Sequence, residues 1–122
     1  MLVTVLRAKV HRLRVTATAL NYEGPLCVDE AILKHAGMLV HERVLVSNLS
    51  TGTRFDTYLI PTPAGSGQVC VNGAAARLAH PGDLLIVMTF AEMSPEEAEQ
   101  FRPSIVQVDE QNRPLAAEQR KP

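Results

Sequence analysis

The chain has 122 residues, of which 46% are apolar and 20% charged, and its formal net charge is −1. This length and composition predict one globular domain and exclude a disordered chain. The near-zero charge excludes the basic surface that nucleic acid or an anionic membrane would select. The longest apolar run, "LLIVMTFA", is too short to span a bilayer, and the N-terminus lacks a signal-peptide pattern, so a cytoplasmic protein is expected.

The N-terminal segment predicts extended structure. Residues 2–18, "LVTVLRAKVHRLRVTAT", are rich in β-branched residues and predict one long strand or a pair of strands. Side chains alternate along a strand, so Lys9 and His11 point to the same face. The segment "VDEAILKHAG" that follows later predicts a short helix, with Asp29 as N-cap and Gly37 at the left-handed C-terminal position.

A β-hairpin is predicted over residues 41–60, "HERVLVSNLSTGTRFDTYLI". Two β-rich runs flank "STGT", in which Gly52 can adopt the positive φ that such a loop often needs. On the return strand, Arg54, Asp56 and Tyr58 share one face because their spacing is two residues.

The second half predicts further short elements in a single domain that ends near residue 110. They are a strand at "QVCVN", a turn with a helical segment over 72–83, a strand over 84–91, a helix at "SPEEAEQF" capped by Ser94, a strand over 104–110, and a mobile polar tail over 111–122. Many short strands with brief helices favour a small mixed β-barrel. Because aromatics are 4% of the chain and Trp is absent, the core is small and aliphatic, which favours oligomerisation.

The cysteines and several histidines give no metal-binding pattern. Cys27 and Cys70 are far apart in sequence, and we expect buried thiols rather than a disulfide. His35, His41 and His80 share no ligand-like spacing, so no metal site is predicted.

The chain resembles the small bacterial pyruvoyl-dependent aspartate 1-decarboxylases, which make β-alanine for pantothenate. The resemblance is collinear from residue 1 to about 110 and rests on "AKVHRLRVT", "NYEG", "TGTRFDTY", "GSGQVCVNGAAA", "PGDLLIV" and "SPEEAEQFRP". It implies a double-psi β-barrel that assembles as a homotetramer, with active sites at subunit interfaces.

In that family, the hydroxyl of a serine after the glycine of "YEG" attacks the glycine carbonyl. The resulting ester eliminates, and the new N-terminus becomes a pyruvoyl group that serves as the electron sink for decarboxylation. The resemblance implies the following roles: Thr57 stabilises the oxyanion of self-processing, Tyr58 donates a proton, Lys9 and Arg54 hold substrate carboxylates, and Asn72, Gly73, Ala74 and Ala75 line the pocket.

The residue after Gly24 departs from the family pattern, because it is Pro25. Proline has no hydroxyl, and its nitrogen is a tertiary amide without a proton. The family mechanism therefore predicts no pyruvoyl cofactor in this chain. Cys27 is an alternative nucleophile, although it lies two residues out of register. Three further positions also differ from residues common in the family: Asn21, Ser47 and Arg77.

Three functional hypotheses follow. The first is an uncleaved, cofactor-independent lyase, isomerase or cyclising enzyme that binds a small carboxylate through Lys9 and Arg54, with Tyr58, His11 or Tyr22 as acid–base groups. The second is a non-catalytic protein that binds an amino acid or regulates an active paralogous subunit. In the third, Pro25 is an introduced replacement for the processing serine of an ordinary aspartate 1-decarboxylase.

Overall fold

The computed structural model describes residues 1–22 and 24–116, which form eight strands, two α-helices and one 3₁₀ helix. In chain order these are β1 (Val3–Arg14), β2 (Ala17–Ala19), β3 (Leu26–Asp29), α1 (Glu30–Ala36), β4 (Arg43–Asn48), β5 (Arg54–Thr62), β6 (Val69–Asn72), the 3₁₀ helix (Gly73–Leu78), β7 (Leu84–Met93), α2 (Pro95–Gln100) and β8 (Ser104–Gln107). The strands make one mixed sheet in the order β2-β6-β3-β5-β4-β7-β1-β8. This topology confirms the predicted mainly β fold of the double-psi barrel type.

The core lies on the inner face of the strands and is almost entirely aliphatic. Alternate residues of β1, β4 and β7 are buried, and α1 covers one end of this face. The largest fully buried side chains include Leu13, Ile32, Val46, Leu59 and Leu85. Because alternation buries every second residue, the polar residues between them are placed on the outer face of the sheet. No helix in the described residues is long and apolar enough to cross a membrane.

Asp29 joins helix α1 to the loop between β5 and β6. Its carboxylate accepts hydrogen bonds from the backbone nitrogens of Ala31 at 2.8 Å, Gly65 at 2.9 Å and Gly67 at 2.8 Å. The side chain is 2% exposed, and the first of these bonds is the predicted N-cap interaction. Gly37 ends the helix in the left-handed conformation, with φ of 71°, as predicted.

Strand β3 was not predicted from the sequence. It contains four residues between a proline and a helix, which is too short for an alternating pattern to be recognised. Pairing stabilises it on both sides, since it runs parallel to β5 and antiparallel to β6. This strand directly follows the Gly24–Pro25 peptide, which is the processing position in the family that the chain resembles.

The chain after β8 is attached to the barrel by Asn112, which is 2% exposed. Its side-chain oxygen accepts from the backbone nitrogen of Arg14 at 2.8 Å, and its amide donates to the carbonyls of Arg14 and Gly67. Residues 111–116 therefore do not form the mobile polar tail that the composition predicted, because a buried amide satisfies three backbone groups. Residues 117–122 of that tail lie outside the described residues.

Glu42 orders the turn that leads into β4. Its carboxylate accepts from Arg7, from the Thr89 hydroxyl at 2.6 Å and from the Leu39 nitrogen at 2.9 Å. Burial alone raises the pKa of Glu42, but the hydrogen bonds from Arg7, Thr89 and Leu39 outweigh it and leave the pKa below its ordinary value. This turn contains His41, whose left-handed backbone has φ of 70°.

Candidate functional site

Lys9 and Arg54, the two cations predicted to bind carboxylates, lie on the outer face of the sheet but on strands that are not neighbours. Strand register aligns His11 with Ile86, Ile86 with Ser47, and Ser47 with Arg54. Lys9 lies on the same face of β1, two residues before His11. Three strand steps therefore separate β1 from Arg54, or about 14 Å along the sheet at ~4.8 Å per step. Lys9 and Arg54 share a face but do not form a preassembled clamp within one chain.

A second group of predicted residues is brought together around Gly24. The Pro25 carbonyl accepts a hydrogen bond from the Asn72 nitrogen at 3.1 Å, which extends the β3–β6 ladder. A Cβ atom on Gly73 would lie 3.2 Å from the Gly24 carbonyl oxygen and 3.5 Å from that of Tyr22. Gly73 thus allows two backbone segments to approach closely, and both Gly24 and Gly73 have positive φ, at 106° and 67°.

Tyr58 and Thr57 lie on the strand beside this segment. In the parallel β3–β5 pair, Leu26 is opposite Leu59. Tyr58 precedes Leu59 as Pro25 precedes Leu26, so the register places the two close to each other at the ends of the paired segments. Tyr58 is 44% exposed and faces outward, whereas Thr57 lies on the opposite face of β5. The predicted division of β5 into two faces is confirmed.

His41 is a neighbour of Tyr58 that the sequence did not indicate. The two ring centroids are 6.2 Å apart and the ring planes are inclined by 58°. The His41 nitrogen donates to the Leu59 carbonyl at 2.8 Å, so the backbone fixes this imidazole beside β5. Histidine is one of the few non-glycine residue types enriched at positive φ, which is the only local signal of this conformation.

His11 has the chemical properties of a neutral base. Burial, then the positive charges of Lys9 and Arg12, lower the pKa of its imidazole. Its Nδ1 atom is buried and has no hydrogen-bond partner among the described residues. A β-bulge lies between His11 and Leu13, and Arg12 within it has a positive φ of 67°. A neutral ring with an unfilled nitrogen can accept a proton or bind a donor.

The remaining predicted residues are more exposed. Tyr22 is 70% exposed, Ala74 is exposed, and Ala75 packs against the core from the 3₁₀ helix. Two cavities, of about 280 Å³ and 370 Å³, are lined by other residues, which include Arg12 and Arg14 in the first and Arg43 and Phe90 in the second. Neither of these two cavities is lined by a residue of the predicted site.

The cysteines are placed differently from the sequence prediction. Both are free thiols, in agreement with the prediction, but they are half-buried rather than fully buried, and they lie directly opposite each other on β3 and β6. Burial, then the neighbouring Cys70, raises the pKa of the Cys27 thiol, although the Asn72 amide 3.5 Å from its sulfur acts in the other direction. The thiolate is the reactive form, so this environment weakens Cys27 as a nucleophile.

Comparisons with known proteins identify the family. The family model described as "Aspartate decarboxylase" matches residues 1–115. An aspartate 1-decarboxylase of Salinibacter ruber is 52% identical over 109 residues, which cover 89% of this chain and 75% of that protein. Proteins of the same name from Pelotomaculum thermopropionicum and Thermoanaerobacter pseudethanolicus are 47% and 43% identical, covering 93% and 91% of this chain and 86% and 95% of their own lengths. The chain belongs to the aspartate decarboxylase family, a family of lyases.

Proposed function

We propose that this chain is an uncleaved member of the family that binds a small carboxylate and acts without a pyruvoyl group. Pro25 is the observation that carries the proposal. It is buried, it lacks a hydroxyl, and its carbonyl is engaged by Asn72. The residues around Gly24 therefore do not fit a self-generated pyruvoyl group, because no oxygen nucleophile follows that carbonyl.

Cys27 is a poor substitute for the missing serine. Its peptide lies inside β3, where regular ladders run on both sides, rather than in the positive-φ turn at Gly24. Its raised pKa leaves little thiolate at neutral pH. Both features support an intact chain.

Carboxylate binding is assigned to Lys9 and Arg54. Each is a cation on the outer face of the sheet, and the ~14 Å between their strands suits residues that meet across a contact between two copies. The site then lies between subunits of the homotetramer that the resemblance implies. Guanidinium and ammonium groups that face one another require an anion between them, and a small carboxylate or amino acid meets that requirement.

Proton transfer is assigned to His11 and Tyr58, with Tyr22 as a further candidate. The lowered pKa of His11 keeps its imidazole neutral near pH 7, which is the form a general base needs. Tyr58 lies beside the Gly24–Pro25 segment and next to the His41 ring. A phenol in that position can donate a proton to a ligand held by Arg54 on the same strand face.

A non-catalytic binding or regulatory role is the second candidate, including assembly with an active paralogous subunit. The exposure of Tyr22 and Tyr58 favours it, because neither phenol is desolvated within one chain. Removing the Tyr58 hydroxyl distinguishes the two candidate functions. Tyr58→Phe abolishes turnover in an enzyme but leaves ligand affinity unchanged in a binding protein.

The intact mass of the denatured protein tests the uncleaved state. We expect one species at the 13.3 kDa of the full chain. Prolonged incubation at elevated temperature leaves that mass unchanged, because no hydroxyl is present to attack Gly24. Two fragments, one of them with a carbonyl at its new N-terminus, contradict the proposal.

Titration with L-aspartate and with succinate tests the carboxylate site through His11. A bound anion offsets the positive charge of Lys9, so we expect the pKa of His11, followed by NMR, to rise towards its ordinary value of 6.5 when either ligand is present. Arg54→Ala is expected to weaken binding on the order of tenfold, as loss of one charge-assisted contact does.

Lys34→Ala is the matched control, since Lys34 is an exposed cation whose partner is Glu30 on the same helix. Equal losses in the two variants, or an unmoved His11 pKa at saturating ligand, show that the site does not bind carboxylates.

A further inference from the structure

Cys27 and Cys70 are directly opposed across the antiparallel β3–β6 pair. Two residues away on the same ladder, the Asn72 nitrogen donates to the Pro25 carbonyl, which marks that pair as a hydrogen-bonded one. Hydrogen-bonded pairs recur every second residue, so the cysteine pair is of the same type, with Cα atoms about 5.5 Å apart. That separation lies inside the range of protein disulfides.

The two side chains also share one face. Directly opposed residues point to the same side of a sheet, and both thiols are half-buried on the outer side while their neighbours Leu26 and Val71 are buried inside. The next strands place Ala17 beside Cys70 and Ile60 beside Cys27. The pair is thus a dithiol in an apolar but accessible surface.

We propose that Cys27 and Cys70 form a reversible redox modification site, in which a low-molecular-weight disulfide such as glutathione disulfide oxidises the pair. One cysteine thiolate attacks the external disulfide, forms a mixed disulfide and releases one glutathione thiolate. The other cysteine then displaces the second glutathione and closes the Cys27–Cys70 bond. The protein loses two protons and two electrons in total, and glutathione disulfide is reduced to two thiols.

The bond is expected to be labile. Disulfides that solvent can reach have higher reduction potentials and are reduced more readily, and both cysteines are only half-buried on the outer side of the sheet. Glutathione at excess over its disulfide therefore restores the dithiol.

Oxidation also affects Asn72, one of the residues assigned to the candidate site. The Asn72 side-chain amide donates to the Cys27 sulfur at 3.5 Å. Closing the bond turns this sulfur towards Cys70 and releases the amide. The modification site itself stands whether or not the surface binds a carboxylate, because none of its steps uses a ligand.

The test is incubation of the full-length protein with glutathione disulfide at mildly alkaline pH, where the thiolate of Cys27 is more populated, followed by intact mass under non-reducing conditions. The wild type is expected to lose two hydrogen atoms and to carry no glutathione, and its Asn72 side-chain amide resonances shift. Cys70→Ser and Cys27→Ser are the matched controls. Each is expected to stop at a stable mixed disulfide with one glutathione, because the second thiol is missing.

A wild type that retains glutathione, remains reduced or forms a disulfide between chains overturns the proposal. Phenylarsine oxide gives a second, independent measurement, since one arsenic atom binds two adjacent thiols. One adduct is expected on the wild type and none that survives dilution on either serine variant. A single-cysteine variant that binds the arsenical as tightly as the wild type also overturns the proposal.

Discussion

Replacing Pro25 with serine is expected to convert the chain from one species into two, residues 1–24 and 25–122. The serine hydroxyl restores the atom that attacks the Gly24 carbonyl in the family mechanism. The local backbone is already suited to this step, because Gly24 has a positive φ of 106° and Gly73 leaves room beside its carbonyl. Thr57 of β5, two residues before the Leu59 that pairs with Leu26, is the residue that the resemblance assigns to the oxyanion. Intact mass over time measures the conversion, which rises from none to most of the protein.

Pro25→Ala is the matched control, since it removes the ring and restores the backbone N–H without supplying a hydroxyl. It is expected to stay whole. Loss of the restriction that proline places on the unfolded chain changes the free energy of unfolding by about 0.4–1 kcal/mol, and we expect both variants to fold. A folded serine variant that remains whole shows that other changes, such as those at Asn21 or Ser47, also prevent processing. Cleavage of the alanine variant shows that processing does not require a hydroxyl at residue 25 and contradicts the prediction.

The serine variant also separates the functional hypotheses. If the cleaved protein converts L-aspartate to β-alanine and CO₂, the parent is an ordinary aspartate 1-decarboxylase whose processing serine was replaced. If it cleaves but does not turn over aspartate, the pocket has changed for another ligand. The second result supports an uncleaved protein with its own carboxylate substrate.

Features that depend on neighbouring residues in sequence were predictable. Asp29, Gly37 and Ser94 end or begin helices as expected, because capping involves atoms within a few residues. The alternation on β5 correctly placed Arg54 and Tyr58 on one face. The two-residue alternation of a strand indicates which face a side chain occupies, so this part of the candidate site could be predicted from the sequence.

Features that depend on strand pairing were not predictable from these patterns. Lys9 and Arg54 share a face, but only the register reveals that β7 and β4 separate them. Cys27 and Cys70 are distant in sequence and opposed in space for the same reason. Register is set by long-range packing and by which strands become neighbours, neither of which leaves a local signal. The family resemblance supplied the double-psi topology, whereas the pattern of strands and helices reached only a small mixed β-barrel.

Asp29→Ala is expected to lower the free energy of unfolding by about 3–5 kcal/mol, the largest stability effect at any single side chain considered. The substitution removes the N-cap of α1 and leaves the nitrogens of Gly65 and Gly67 without an acceptor. A typical N-cap contributes about 1 kcal/mol, and each of the two loop donors left without its acceptor costs about 1–2 kcal/mol, the lower part of the range for buried donors, because Gly65 is exposed and Gly67 is half-buried. Urea denaturation followed by circular dichroism measures the change.

Asp29→Asn separates the contribution of hydrogen-bond geometry to stability from that of the negative charge. Its remaining side-chain oxygen can still cap α1, but its NH₂ group faces an N–H donor instead of accepting from it. We expect an intermediate loss, with the midpoint between those of the wild type and the alanine variant. Because Asp29 also ends β3, destabilisation at this residue loosens the strand that contains Cys27 and follows Pro25. If the free energy of unfolding of the alanine variant lies within about 1 kcal/mol of the wild-type value, water satisfies the nitrogens of Gly65 and Gly67. That result contradicts the prediction that the Asp29 carboxylate holds α1 against this loop.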